Sequence, residues 1–115
     1  FLIPVPLHQK KLRSRGYNQS KIICEGMQSS LEIPVLENLQ RISYTDTQTR
    51  KRRFDRWLNV SEKFILSNPE MLENKRVLLV DDVFTTGATL EACCKVLESV
   101  QGISIGIATL AIALK

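Results

Sequence analysis

Two adjacent carboxylates, Asp81 and Asp82, follow the aliphatic run Val77-Leu78-Leu79-Val80, and a small, hydroxyl-bearing stretch, Thr85-Thr86-Gly87-Ala88-Thr89, comes next but two. That stretch has the makings of an anion site if it opens a helix. The first backbone N–H groups of a helix lack internal partners, and with the helix dipole they favour negative charge by about 0.3–2 kcal/mol. Thr85, Thr86 and Thr89 add hydroxyl donors, while Gly87 and Ala88 let backbone approach a phosphate without a large side chain intervening. Two acids in front of such a site would repel a bare phosphate. They fit a ligand that also carries vicinal hydroxyls, which donate to carboxylates, or a Mg²⁺, which takes hard oxygen ligands directly or through water. A ribose 5-phosphate bearing a magnesium-bound pyrophosphate has all three features. The bland alternative is a solvated strand-to-loop turn, where Asp is common; it leaves the Thr/Gly run unexplained.

These residues need a strand before them and a helix after them, and the pattern supplies both. Four consecutive aliphatics at 77–80 suit a parallel strand covered on both faces. Leu90, Cys93, Cys94 and Leu97 fall on one helical stripe, Gly102 is placed as the C-terminal cap, and 103–113 reads as another strand. At the other end, residues 1–5 are apolar and β-leaning, with Pro4 suited to an end or edge. A charged loop is expected over 6–17. Asn18 then caps a helix with Ile22, Ile23, Met27 and Leu31 on its apolar side, ended by Pro34. Residues 38–63 read as a long arm returning through a short strand at 64–66. Strand–helix–strand repetition implies a parallel α/β sheet. No P-loop or dinucleotide-binding glycine pattern is present.

Composition sets bounds. At 115 residues and 43% hydrophobic, the chain suits one domain. It opens on Phe1 inside a core-type segment, which reads as a fragment lacking an N-terminal segment. No apolar run approaches the ~20 residues needed to span a bilayer. Three cysteines, two of them adjacent, make neither a metal spacing nor a disulfide framework, which points to a reducing cytoplasm. Residues 1–60 carry eleven Lys and Arg against five Asp and Glu, and 61–115 carry five against seven. Five of those cations, Arg50, Lys51, Arg52, Arg53 and Arg56, fall within seven residues.

The run from Val77 to Leu90 resembles the phosphoribosyl pyrophosphate (PRPP) motif of type I phosphoribosyltransferases. Pro4-Val5-Pro6-Leu7-His8, Arg13 and Arg15-Gly16-Tyr17-Asn18-Gln19 are similar to the opening of the ComF-type, competence-associated phosphoribosyltransferase-like family. Arg41, Thr45, Gln48, Arg56, Asn59 and Phe64 fit that family's middle segment. The resemblance implies an α/β fold, a parallel-sheet type I core with flanking helices, as one domain over 1–115. It implies that Asp81 and Asp82 are the catalytic pair, contacting the ribose hydroxyls and Mg²⁺ directly or through water. Thr85, Thr86, Gly87, Ala88 and Thr89 would wrap the 5′-phosphate. Leu7, His8, Arg13 and Arg15 would face the leaving pyrophosphate, and a loop with Gln48 and Arg56 would close over the site. The chain departs from the family in having Lys51 where an aliphatic residue is usual, and in lacking a cysteine-rich, zinc-ribbon-like segment.

Three functions follow as alternatives. One is transfer of the phosphoribosyl group to a nitrogen nucleophile with loss of pyrophosphate. A second is a non-catalytic PRPP-binding module that engages competence-machinery proteins in DNA uptake. A third is direct binding of single-stranded nucleic acid through the basic arm, for which Phe54 and Trp57 are the available stacking aromatics. The acceptor base is not legible in the chain.

Overall fold

The computed structural model describes residues 1–43 and 62–114. Three strands form a parallel sheet in the order β1 (Leu2–Pro4), β4 (Arg76–Phe84), β5 (Ser104–Ile112). The central strand carries the aliphatic run, and its side chains alternate between two cores. Val77 and Leu79 join Ile3, Val5, Leu90, Cys93 and Leu97 on one face. Leu78 and Val80 join Leu2, Cys24 and Ala108 on the other. A strand sandwiched in this way has no polar face to show, which is why it reads as an unbroken apolar run. Full burial of one such Leu side chain contributes about 1.5–3 kcal/mol.

The helix before the sheet's second face is α2 (Gln19–Leu31). Asn18 caps it: its Oδ1 accepts from the Ser20 N–H at 2.9 Å, as the sequence reading expected. The inward stripe differs from expectation. Ser20 and Cys24 are buried, with Ile23 and Met27 packed beside them, whereas Ile22 and Leu31 are about half exposed. Small side chains at 20 and 24 face the sheet, and the longer flanking residues are turned outward. The helix stops when Glu32 takes a left-handed conformation, two residues ahead of Pro34. Leu2 N–H then bonds to Pro34 O and Leu36 N–H to Leu2 O, bridging this segment to β1.

Three elements depart from the sequence reading. Residues 9–15, expected as loop, form helix α1 (Gln9–Arg15), capped by His8 and closed by left-handed Gly16; none of its residues is buried. With no apolar stripe, it left no periodic signal. Both ends of the arm form strands: β2 (Leu39–Ser43) pairs antiparallel with β3 (Glu62–Leu66), Arg41 standing opposite Phe64. Gly102 is not the cap of α3 (Ala88–Leu97), which ends at Glu98. It turns the chain into β5 with φ 71°. The α3 stripe itself is as expected, with Leu90, Cys93 and Leu97 buried and Cys94 half-buried.

The free thiols give a check on this packing. Burial pushes the Cys24 thiol up to about 11 and Cys93 up to about 12, so almost no reactive thiolate exists at pH 8. Ellman's reagent at pH 8 is expected to modify at most one thiol, Cys94, in the native chain, and all three in denaturant. Two or more fast native thiols would contradict the assigned cores.

Candidate functional site

The parallel sheet ends unevenly, and the unevenness makes the site. β1 pairs with β4 as far as Pro4 opposite Val80, while β4 runs on beside β5 to Phe84. Asp81 and Asp82 therefore lie within β4, beyond the end of β1. The space that β1 vacates is bordered by the N-terminus of α2. Asn18 fastens that corner: its Nδ2 donates to Val5 O at 3.1 Å while its Oδ1 caps the helix.

Ser20 completes the link. Its side chain is buried, with 3% of the residue exposed, and Oγ donates to Asp81 Oδ1 at 3.1 Å. The Asp82 N–H donates to the same oxygen at 2.9 Å, and the Val83 N–H to Asp82 Oδ1 at 2.8 Å. Burial pushes the Asp81 carboxyl above the usual carboxylate range. The Asp82 N–H and the Ser20 hydroxyl pull it back, and the Asp82 carboxyl adds to the rise. Sequence reasoning missed Ser20. A serine near a helix start gives no signal of a partner 61 residues away.

After Phe84 the chain turns through Thr85 and Thr86 to Gly87, whose φ of 86° places it in the left-handed region at the N-cap of α3. A Cβ there would lie 3.0 Å from Phe84 Cζ, so the ring closes over this turn. The Ala88 N–H donates to Thr86 Oγ1 at 3.2 Å. No side chain of the Gly87 N-cap closes α3, and the first N–H groups of a helix have no intrahelical partner.

A groove of about 190 Å³ joins these parts. Its wall includes Leu7, Arg15, Ser20, Asp81, Asp82, Thr85, Gly87 and Thr89, together with Arg41 from β2. Thr86 and Ala88 belong to the same turn without lining the groove. His8 and Arg13 are not in the wall either. His8 accepts the Lys10 N–H at 3.1 Å through Nδ1, as the cap of α1. Arg13 and Arg15 lie about 200° apart around that helix, so one faces the groove and the other does not. The Arg15 guanidinium donates to the Gln19 side chain, which also borders the groove. Gln48, Arg56 and the rest of the basic arm lie outside the described residues.

The donor set suits a hard cation that arrives with its ligand. Two carboxylates, one held above its normal range by burial, stand in the groove, and among the described residues there is no cluster of three or more acids, histidines or cysteines. Mg²⁺ is commonly held by one or two carboxylates plus substrate phosphates. The arrangement as a whole lines one groove with carboxylate acceptors, the turn that opens α3, threonine hydroxyls and guanidinium groups.

A family model described as the phosphoribosyl transferase domain matches residues 16–114. The chain is 38% identical over 99 residues to Competence protein F of Haemophilus influenzae, covering 84% of this chain and 43% of that protein. It is 31% identical over 110 residues to Competence protein ComFC of Bacillus subtilis, covering 95% and 43%. It is 32% identical over 97 residues to the DNA utilization protein YhgH of Escherichia coli O157:H7, covering 84% and 42%. The chain thus spans less than half the length of these relatives. No helix among the described residues is long and apolar enough to cross a membrane.

Proposed function

Because the chain belongs to the phosphoribosyl transferase domain family, we propose that its groove binds PRPP and supports transfer of the phosphoribosyl group to a nitrogen nucleophile. The observation that carries this reading is the overhang of β4: it sets Asp81 and Asp82 within one groove with the N-terminal turn of α3. Ribose hydroxyls donate to the two carboxylates. The 5′-phosphate takes the N–H groups and hydroxyls of Thr85, Thr86, Gly87, Ala88 and Thr89. The pyrophosphate lies toward Leu7 and Arg15.

In the transfer, the bond from C1′ to the pyrophosphate oxygen breaks, its electron pair leaving with pyrophosphate. A bond from the acceptor nitrogen to C1′ forms, and the nitrogen's proton passes to water. Positive charge develops on the sugar as negative charge collects on the leaving group. Asp81 and Asp82 fix the ring and face the first charge; Arg15 faces the second. Bound Mg²⁺ would supply further neutralisation of the pyrophosphate, with Asp81 and Asp82 as its protein ligands directly or through water. Incubation with PRPP, Mg²⁺ and a panel of nitrogen bases tests the reading through pyrophosphate release. Base-dependent release supports it; saturable PRPP binding with no release for any base supports the second reading below.

That second reading is a PRPP-binding module that acts through other proteins. It is favoured by the names of the relatives, competence and DNA utilization proteins. Its partners would be competence-machinery proteins in the cytoplasm. Both readings share one expectation at the pyrophosphate end. Arg15→Ala should weaken PRPP·Mg²⁺ about tenfold, the scale of one charge-assisted hydrogen bond. Arg13→Ala should change it less than about twofold, since Arg13 does not face the groove. Isothermal titration of both variants checks the pair, and equal losses would remove the distinction between the two arginines.

A further inference from the structure

Ser20 is the second residue of α2 and is 3% exposed, on a helix side that also carries Ile23, Cys24 and Met27. A hydroxyl buried there costs free energy unless it is bonded, and its bond goes to Asp81 Oδ1 at 3.1 Å. The two groups come from opposite sides of the sheet. Strand alternation assigns Asp81 to the face of Val77 and Leu79, which α3 covers, while α2 packs on the face of Leu78 and Val80. They meet because β1 stops at Pro4 opposite Val80, one residue short of Asp81.

Ser20 is itself held in place. Asn18 Oδ1 takes its backbone N–H at 2.9 Å, and Asn18 Nδ2 ties the same corner to Val5 O at 3.1 Å. The two acids differ in what orients them. Asp82 Oδ1 accepts from the Val83 N–H, its neighbour in the strand, whereas Asp81 is also gripped from another element. Both donors to Asp81, Ser20 Oγ and the Asp82 N–H, fall on Oδ1. Asp81 lines the groove, so Oδ2 is the oxygen it has left to offer.

We propose that Ser20 is a positioning residue, holding the Asp81 carboxylate so that Oδ2 meets the ribose hydroxyls; this rests on the PRPP reading above. Without the hydroxyl, Asp81 samples its staggered χ1 wells, of which one presents Oδ2 correctly. With three wells shared evenly, the competent fraction falls to about a third and apparent affinity drops about threefold.

Ser20→Ala tests this, since the Asn18 cap uses the backbone of residue 20 and survives the change. Three-bond couplings to Asp81 Cγ report χ1 in the ligand-free chain, and titrations with PRPP·Mg²⁺ and with inorganic phosphate report binding. The parent should show one χ1 rotamer and Ser20→Ala an average of several. PRPP·Mg²⁺ should weaken about threefold, while inorganic phosphate, which needs only the 85–89 turn, stays within about 1.5-fold. Should Ser20→Ala fail to fold, Ser20→Cys, close in size but a weak donor, must show the same selective loss. Equal losses for both ligands, or a loss with χ1 still fixed, would show a merely structural role. Unchanged PRPP·Mg²⁺ affinity would remove Ser20 from the site. Each of these results, with a parent that binds PRPP, overturns the proposal alone. A parent that binds no PRPP·Mg²⁺ overturns the PRPP reading and Ser20 with it.

Discussion

Asp81→Asn combined with Asp82→Asn is expected to abolish the PRPP·Mg²⁺-dependent rise in melting temperature while the chain still folds. For the parent, a ligand at 100 times its Kd stabilises by about 2.7 kcal/mol, a shift of several degrees in a domain of this size. The double variant keeps side-chain size and an oxygen that can accept from Ser20 Oγ and the Asp82 N–H, so the local hydrogen bonds survive. It loses the charges that would face the cation and the developing positive sugar. The unliganded fold should gain from the change. Burial raises the Asp81 carboxyl in the folded chain. A group raised in this way stabilises the fold below its unfolded pKa, and the contribution is lost as pH rises through the folded value. Deprotonated Asp81 is therefore a cost to the fold, which Asn does not carry. Differential scanning fluorimetry at pH 7 should show the variant's ligand-free Tm equal to or above the parent's, with no response to PRPP·Mg²⁺. An equal ligand shift in both proteins would place the site elsewhere.

Gly87→Val should remove ribose 5-phosphate binding. The backbone at 87 sits at φ 86°, where a β-branched side chain costs on the order of 1–3 kcal/mol. Its Cβ would meet the Phe84 ring at 3.0 and 3.1 Å, so the ring or the turn must move. Both displacements act on the N–H groups that open α3. The sheet cores do not include Gly87, so the chain should fold with a Tm lower by several degrees. Affinity for ribose 5-phosphate is expected to fall at least tenfold by isothermal titration. Unchanged affinity would mean that the phosphate does not sit on this turn.

What the sequence disclosed and what it hid follow from the range of each signal. The Val77-Leu78-Leu79-Val80 run, the Thr/Gly turn and the Leu90–Cys93–Leu97 stripe are local, so β4, the turn and α3 could be read directly. Resemblance to the phosphoribosyltransferases rested on those same contiguous residues, and the family match over 16–114 bears it out. Contacts that span the chain left no such trace. β2 meets β3 through pairs such as Leu39 with Leu66, and Ser20 meets Asp81, 61 residues further along the chain. Helix α1 hid for the opposite reason. It buries nothing, and caps at His8 and Gly16 define it instead of an apolar stripe. Treating 6–17 as loop let both Arg13 and Arg15 turn inward; a helix allows only one. For α2 the periodicity was present and half of it held: Ile23 and Met27 pack against the core, while Ile22 and Leu31 turn outward. Ile22 and Leu31 are the more hydrophobic residues, yet Ser20 and Cys24 face the sheet.

The binding site is the claim on which the functional readings depend, and backbone amide shifts test it residue by residue. Nitrogen-15 correlation spectra of the chain should be recorded as PRPP·Mg²⁺ is added. The largest saturable changes are expected at Ser20, Asp81, Asp82, Thr85, Thr86, Gly87, Ala88 and Thr89, with a smaller one at Arg15. Ribose 5-phosphate alone should reproduce those of the 85–89 turn and leave Arg15 unmoved. Absence of saturable shifts, or shifts confined to residues away from the end of β4 and the start of α3, would contradict a PRPP site in this groove.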